Sequence, residues 1–92
     1  MKTTKHLRIY GRVQGVWYRA WTQETAQNMS LKGWVRNRKD GSVEAVITGP
    51  EDQLQRFITA CYDGPAQAKV ETIQTLEGID EGCTDFSVKD TA

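Results

Sequence analysis

The residues of this chain whose types and spacing can do chemistry are gathered in one segment, Gly11-Arg12-Val13-Gln14-Gly15-Val16-Trp17-Tyr18-Arg19. The segment leaves an alternating, strand-like stretch and enters a helical pattern. Amides at such a junction have no partner within the helix, and glycines let the backbone curl so that several N–H groups converge on one oxyanion. Arg19, in the first helical turn, adds a planar fork that matches two phosphate oxygens. A purely structural turn would use the same two glycines, so the loop alone leaves both readings open. The spacing does not fit a Walker loop, and no Lys-Ser/Thr follows Gly15. The loop also contains no Cys, which excludes the thiolate chemistry of tyrosine phosphatases.

The flanking pattern supplies the elements that must hold this loop. Leu7 and Ile9 alternate with His6, Arg8 and Tyr10, which predicts a half-buried strand over residues 5–10. Tyr18, Thr22, Ala26 and Met29 share one face at helical spacing, which predicts a first helix from about 18 to 29. Trp34-Val35-Arg36 resumes an extended pattern. Lys39-Asp40-Gly41 is turn chemistry ahead of a second alternation of Val43, Ala45 and Ile47, so the two stretches form a hairpin. Pro50-Glu51-Asp52 opens a second helix, with Pro at its first position and acids at the positive end of the dipole. Leu54, Phe57, Ile58 and Cys61 form its buried stripe, and Asp63-Gly64-Pro65 stops it. Weaker strands are expected over 69–76 and 84–89, the last short one at the end or edge of the sheet. The order βαββαβ is the α+β, ferredoxin-like split βαβ arrangement, an antiparallel sheet with two helices on one face.

The 92 residues are read as one domain, 1–92, with a thin core burying about 60–65% of the unfolded chain's surface. No apolar run is long enough for a signal peptide or a membrane span, so a cytoplasmic protein is expected. The two cysteines, Cys61 and Cys83, read as buried free thiols in a reducing compartment, with a disulfide between them as the lesser alternative. Net charge is zero, yet residues 1–46 hold nine Lys/Arg against three Asp/Glu and residues 47–92 hold three against nine. Interleaving the halves in space would mix these charges, and counting alone does not establish an anion site.

The loop segment, followed by Gly33-Trp34-Val35-Arg36-Asn37 and then Gly41, Val43 and Gly49, closely resembles the two sequence signatures of the acylphosphatase family. Thr22, Ala26, Leu31 and Gly64-Pro65 extend the resemblance over nearly the whole chain. It implies hydrolysis of acyl phosphates to carboxylate and orthophosphate by direct water attack, without metal or other cofactor. Arg19 matches the family's phosphate-binding arginine and Asn37 the asparagine that positions water. Arg12, Val13, Gln14, Gly15 and Val16 match the phosphate cradle. Trp17 is bulkier than the family often has, Arg38 stands where Thr is common, and Lys89 replaces a frequent Arg. Chemistry makes so small a site sufficient. The departing carboxylate is stable unprotonated, and a loose phosphoryl-transfer transition state asks for positioning and electrostatic stabilisation.

Other residues read more plainly. His6 is expected on the solvated polar face of its strand, and the acids of residues 77–85 as solvating charge with no metal-ligand spacing. Trp34 is expected in the core beside the first helix, Trp21 on the helix flank, and Trp17 either in ordinary packing or at a pocket mouth. The same strand order builds RNA-recognition domains, but Ser42–Thr48 holds no aromatic residue for base stacking and the neutral charge offers little to a phosphate backbone. A non-catalytic phosphate-binding regulatory module is the other alternative. The expected partners are therefore a small acyl phosphate and inorganic phosphate as product and inhibitor, with no nucleic acid and no membrane. A monomer, and a free-standing enzyme, are expected.

Overall fold

The computed structural model describes residues 2–92. The chain runs β1 (Lys2–Arg12), α1 (Tyr18–Asn28), β2 (Lys32–Asn37), β3 (Val43–Pro50), α2 (Glu51–Asp63), β4 (Lys69–Glu77) and β5 (Phe86–Val88). The five strands form one sheet in the order β4-β1-β3-β2-β5. Both β1 and β2 pair antiparallel with the central β3, so β1 and β2 run parallel with β3 between them, and the split βαβ arrangement holds.

The expectation of a purely antiparallel sheet is corrected at the edge, because β5 pairs parallel with β2, Val35 facing Val88. The reason is topological. The segment after β4 crosses one end of the sheet and must turn back on β4's direction, and the free slot beside β2 already runs that way.

Leu7, Ile9, Val35, Val43, Ala45 and Ile47 from the strands meet Tyr18 and Ala26 of α1 and Leu54, Phe57 and Cys61 of α2 in one core. Phe86 anchors the short β5 there, its ring 6.4 Å from that of Phe57. α1 ends in a Schellman motif: Leu31 N–H donates to Ala26 O at 2.9 Å and Ser30 N–H to Gln27 O at 3.0 Å, around Ser30 at φ 58°. Pro50 sits one position earlier than expected, as the N-cap of α2.

Two side chains depart from their sequence reading. Trp34 lies on the face away from the helices, because Gly33 and Val35 pair with the helix-facing Ile47 and Ala45 while Trp34 pairs with Val46. Its ring is flanked by the Arg36 guanidinium at 4.8 Å and the Lys89 ammonium at 4.6 Å, and its Nε1–H donates to Glu81 at 3.1 Å. His6 is half-buried, its Nε2 2.6 Å from the Glu44 carboxylate, which also accepts from Arg36 at 2.7 Å and Arg38 at 3.2 Å. This cluster explains why β3 is buried on both faces rather than alternating. Cys61 is buried and Cys83 only half-buried, and both thiols are free. Lys5–Glu77 at 2.6 Å and Lys2–Asp80 at 4.0 Å join the basic and acidic halves of the chain. No helix is long and apolar enough to cross a membrane.

Candidate active site

The C-terminal ends of the three mutually parallel strands β1, β2 and β5 lie at one end of the sheet, and a cleft of about 490 Å³ opens there. β1 hands over to the loop and α1, β2 delivers Asn37, and β5 delivers Val88.

β1 runs further than its sequence pattern indicated and takes in Gly11 and Arg12. Gly11 is required by space: at φ 126° its Cβ would stand 2.2 Å from Lys69 O, where a register shift bends the strand. The loop proper is therefore residues 13–17. Val13 and Val16 are buried in the core and pin its two ends, leaving Gln14 and Gly15 between them. Gly15 at φ 73° and Trp17 at φ 67° are both left-handed, so the backbone turns twice within three residues. Trp17 is the N-cap of α1 without a capping side chain, and no acid occupies the first turn. The first backbone bond of the helix is Trp21 N–H to Trp17 O at 3.0 Å, so the amides of Tyr18, Arg19 and Ala20 have no helical partner and border the cleft. Such an end carries partial positive charge toward an anion.

Val13, Gln14, Gly15, Arg19 and Asn37 all line the cleft; Arg12 and Val16 do not. Arg12 is the last residue of β1, exposed and opposite Lys69, and the Val16 side chain belongs to the core. Arg19 is the only charged side chain of the lining and makes no ion pair among the described residues. Tyr18 also borders the cleft, but its hydroxyl donates to Cys61 O at 2.5 Å, tying α1 to α2. Burial, reinforced by the Cys61 contact, raises its pKa far above the ordinary phenol range, so it stays neutral.

Asn37 ends β2 at the mouth of a tight hairpin. Asp40 Oδ1 accepts from Ser42 N–H at 2.9 Å and from Ser42 Oγ at 2.6 Å, and Arg38 N–H donates to Ser42 O at 2.8 Å. The Asn37 Oδ1 is buried and has no partner among the described residues. A buried amide oxygen in that condition has acceptor capacity that the fold itself does not use. Gln14 shows a role that residue spacing did not reveal: its Nε2 donates to Arg38 O at 2.7 Å and to Ser42 O at 2.8 Å, fastening the loop to the hairpin. Neither Arg38 nor Lys89 lines the cleft, being held by Glu44 and the Trp34 ring, whereas Trp17 does. Among the described residues no three His, Cys, Asp or Glu side chains come together as metal ligands would.

Fold and site together define a small α+β protein with a glycine-containing loop, an arginine and a carboxamide gathered at one end of its sheet. The family model for acylphosphatase matches residues 5–88. An acylphosphatase of Rhodospirillum rubrum is 53% identical over 68 residues, covering 74% of this chain and 75% of that protein. One of Azorhizobium caulinodans is 53% identical over 74 residues, 80% of each. The crystal structure of acylphosphatase from Bacillus subtilis superposes with a TM-score of 0.91 at 40% identity, over 97% of this chain and 99% of that one. The chain belongs to the acylphosphatase family.

Proposed function

We infer that the protein hydrolyses the carboxyl–phosphate bond of small acyl phosphates by direct attack of water, with neither metal nor other cofactor. The observation that carries this reading is the meeting, in one cleft, of Arg19, a cation with no ion pair among the described residues, with the buried Oδ1 of Asn37, which has no partner among them either. Arg19 and the amides of the loop and first helical turn hold the phosphoryl oxygens and stabilise the charge that develops on them. Asn37 Oδ1 accepts a hydrogen bond from the attacking water and fixes its approach. The water oxygen bonds to phosphorus, the bond from phosphorus to the acyl oxygen breaks, and its electron pair leaves on the carboxylate. Asn37 cannot take a proton, so the water proton passes to a phosphoryl oxygen or to solvent. No general acid is needed, because the leaving carboxylate is stable as the anion. The neutral, hydrogen-bonded Tyr18 hydroxyl is not suited to that task.

On this reading the protein works as a cytoplasmic monomer on a small molecule, and orthophosphate is product and competitive inhibitor. Turnover of acetyl phosphate in excess EDTA tests it. Full activity is expected, and loss of turnover restored by Mg²⁺ or Zn²⁺ would contradict the metal-free mechanism. Orthophosphate should raise the melting temperature, since a ligand at about 100 times its Kd adds roughly 2.7 kcal/mol to folding stability. It should also shift the amide resonances of residues 13–20. A titration that moves neither would argue against the assigned cradle.

A further inference from the structure

Trp17 is an aromatic residue that the fold does not use. It stands outside the core and is 79% exposed. Its backbone holds φ 67°, a conformation that residues bearing a β-carbon rarely adopt. It nonetheless lines the cleft, together with Val88 of β5, a second apolar side chain left 39% exposed. The two come from separate elements, one preceding α1 and the other ending the sheet, and Ala20 lies on the same lining.

Resting on the acyl phosphate reading above, we propose that Trp17 and Val88 form the acyl-binding wall of the cleft and select substrates with an uncharged, apolar acyl group, aromatic ones above all. Covalent continuity fixes the occupant: with the phosphoryl group in the cradle, what extends into the rest of the cleft is the acyl group bonded to it. The cleft, at about 490 Å³, is in the size range of sites for much larger ligands than phosphate alone. Charge narrows the choice further. Arg19 is the single charged residue of the lining and is taken up by the phosphoryl group, and the neighbouring Arg36 and Arg38 are bound to Glu44, with Lys89 over Trp34. A second anionic group on the substrate finds no further cation among the described residues lining the cleft. An indole face exposed at 79% gains most by covering a flat apolar group.

The test compares benzoyl, acetyl and succinyl phosphate, each kcat/KM divided by the uncatalysed hydrolysis rate. The wild type should rank benzoyl above acetyl and acetyl above succinyl. In Trp17→Asn, which tolerates the left-handed backbone, the benzoyl-to-acetyl ratio should fall roughly 5–10-fold, mostly through KM. Val88→Thr should lower the same ratio by a smaller factor, and Trp17→Phe should keep most of it. Thermal melting and the inhibition constant of orthophosphate report whether fold and cradle survive. An unchanged ratio in folded Trp17→Asn and Val88→Thr overturns the wall, as does a wild type that handles succinyl phosphate as well as benzoyl phosphate. A protein that binds phosphate but turns over none of the three overturns the hydrolase reading, and this inference with it.

Discussion

Arg19 and Asn37 line one cleft, and the proposed mechanism gives them different parts of the reaction, which kinetics can separate. If Arg19 holds the phosphoryl oxygens in ground and transition states alike, Arg19→Ala should weaken orthophosphate inhibition and lower turnover by roughly 10³-fold or more. Arg19→Lys keeps the charge without the two-pronged donor geometry and should recover only part of the loss. Asn37→Ala should lower kcat by roughly 10²–10³-fold with phosphate inhibition nearly intact, as expected of an interaction made mainly in the transition state. A folded Asn37→Ala protein with near-normal kcat would remove the water-orienting role. The sequence singles out both positions because their neighbours form two ordered signatures, and both line the cleft. Arg12 and Val16 show the limit of that reading: a motif marks the segment, but only the run of β1 and the depth of the core decide which side chains border the cleft.

The elements that carry the site were legible where hydrophobic spacing is unambiguous. The buried stripe of Leu54, Phe57 and Cys61 and the Lys39-Asp40-Gly41 turn are local signals, and each lies where its spacing placed it. Trp34 was misplaced because its face depends on pairing with Val46, a register that Trp34-Val35-Arg36 alone does not determine. The bonds of Gln14 were hidden for a similar reason, since their acceptors lie 24 and 28 residues further along the chain. Gln14 joins the loop of residues 13–17 to the hairpin that presents Asn37, so its loss should disturb the distance between the two halves of the site. In Gln14→Leu the carbonyls of Arg38 and Ser42 each lose one of two donors, keeping the Gly41 and Arg38 N–H respectively, at up to about 1 kcal/mol each in stability. We expect kcat to fall roughly tenfold, more than phosphate affinity, because the loop still folds onto Val13 and Val16 while Asn37 loses its brace. Equal losses in kcat and phosphate affinity would mean that Gln14 shapes the cradle itself.

Across the whole molecule, the face of the sheet away from the helices is organised around one carboxylate. Burial of Glu44 raises its pKa, but bonds from His6 and Arg36 and the charges of Arg36 and Arg38 outweigh that and hold it at about 2, against an ordinary 4.5. A carboxyl lowered in this way stabilises the fold fully above its unfolded pKa. The contribution shrinks as pH falls from about 4.5 toward about 2. At 1.36 kcal/mol per pKa unit the full contribution is about 3 kcal/mol, a large share of a small domain's stability. The alternation around His6 indicates only a solvated face, because Glu44 is 38 residues away and only the β1–β3 register brings them together. Glu44→Gln leaves two guanidinium groups, Arg36 and Arg38, without their counter-charge and should cost roughly 3 kcal/mol at pH 7. The same variant no longer titrates at this position, so the gap between wild type and variant should narrow as pH falls from 5 to 2. Urea unfolding at pH 7, 5, 3 and 2 measures that gap directly. A difference that stays constant over the whole range would mean that Glu44 acts through packing and hydrogen bonding alone, with an unshifted carboxyl.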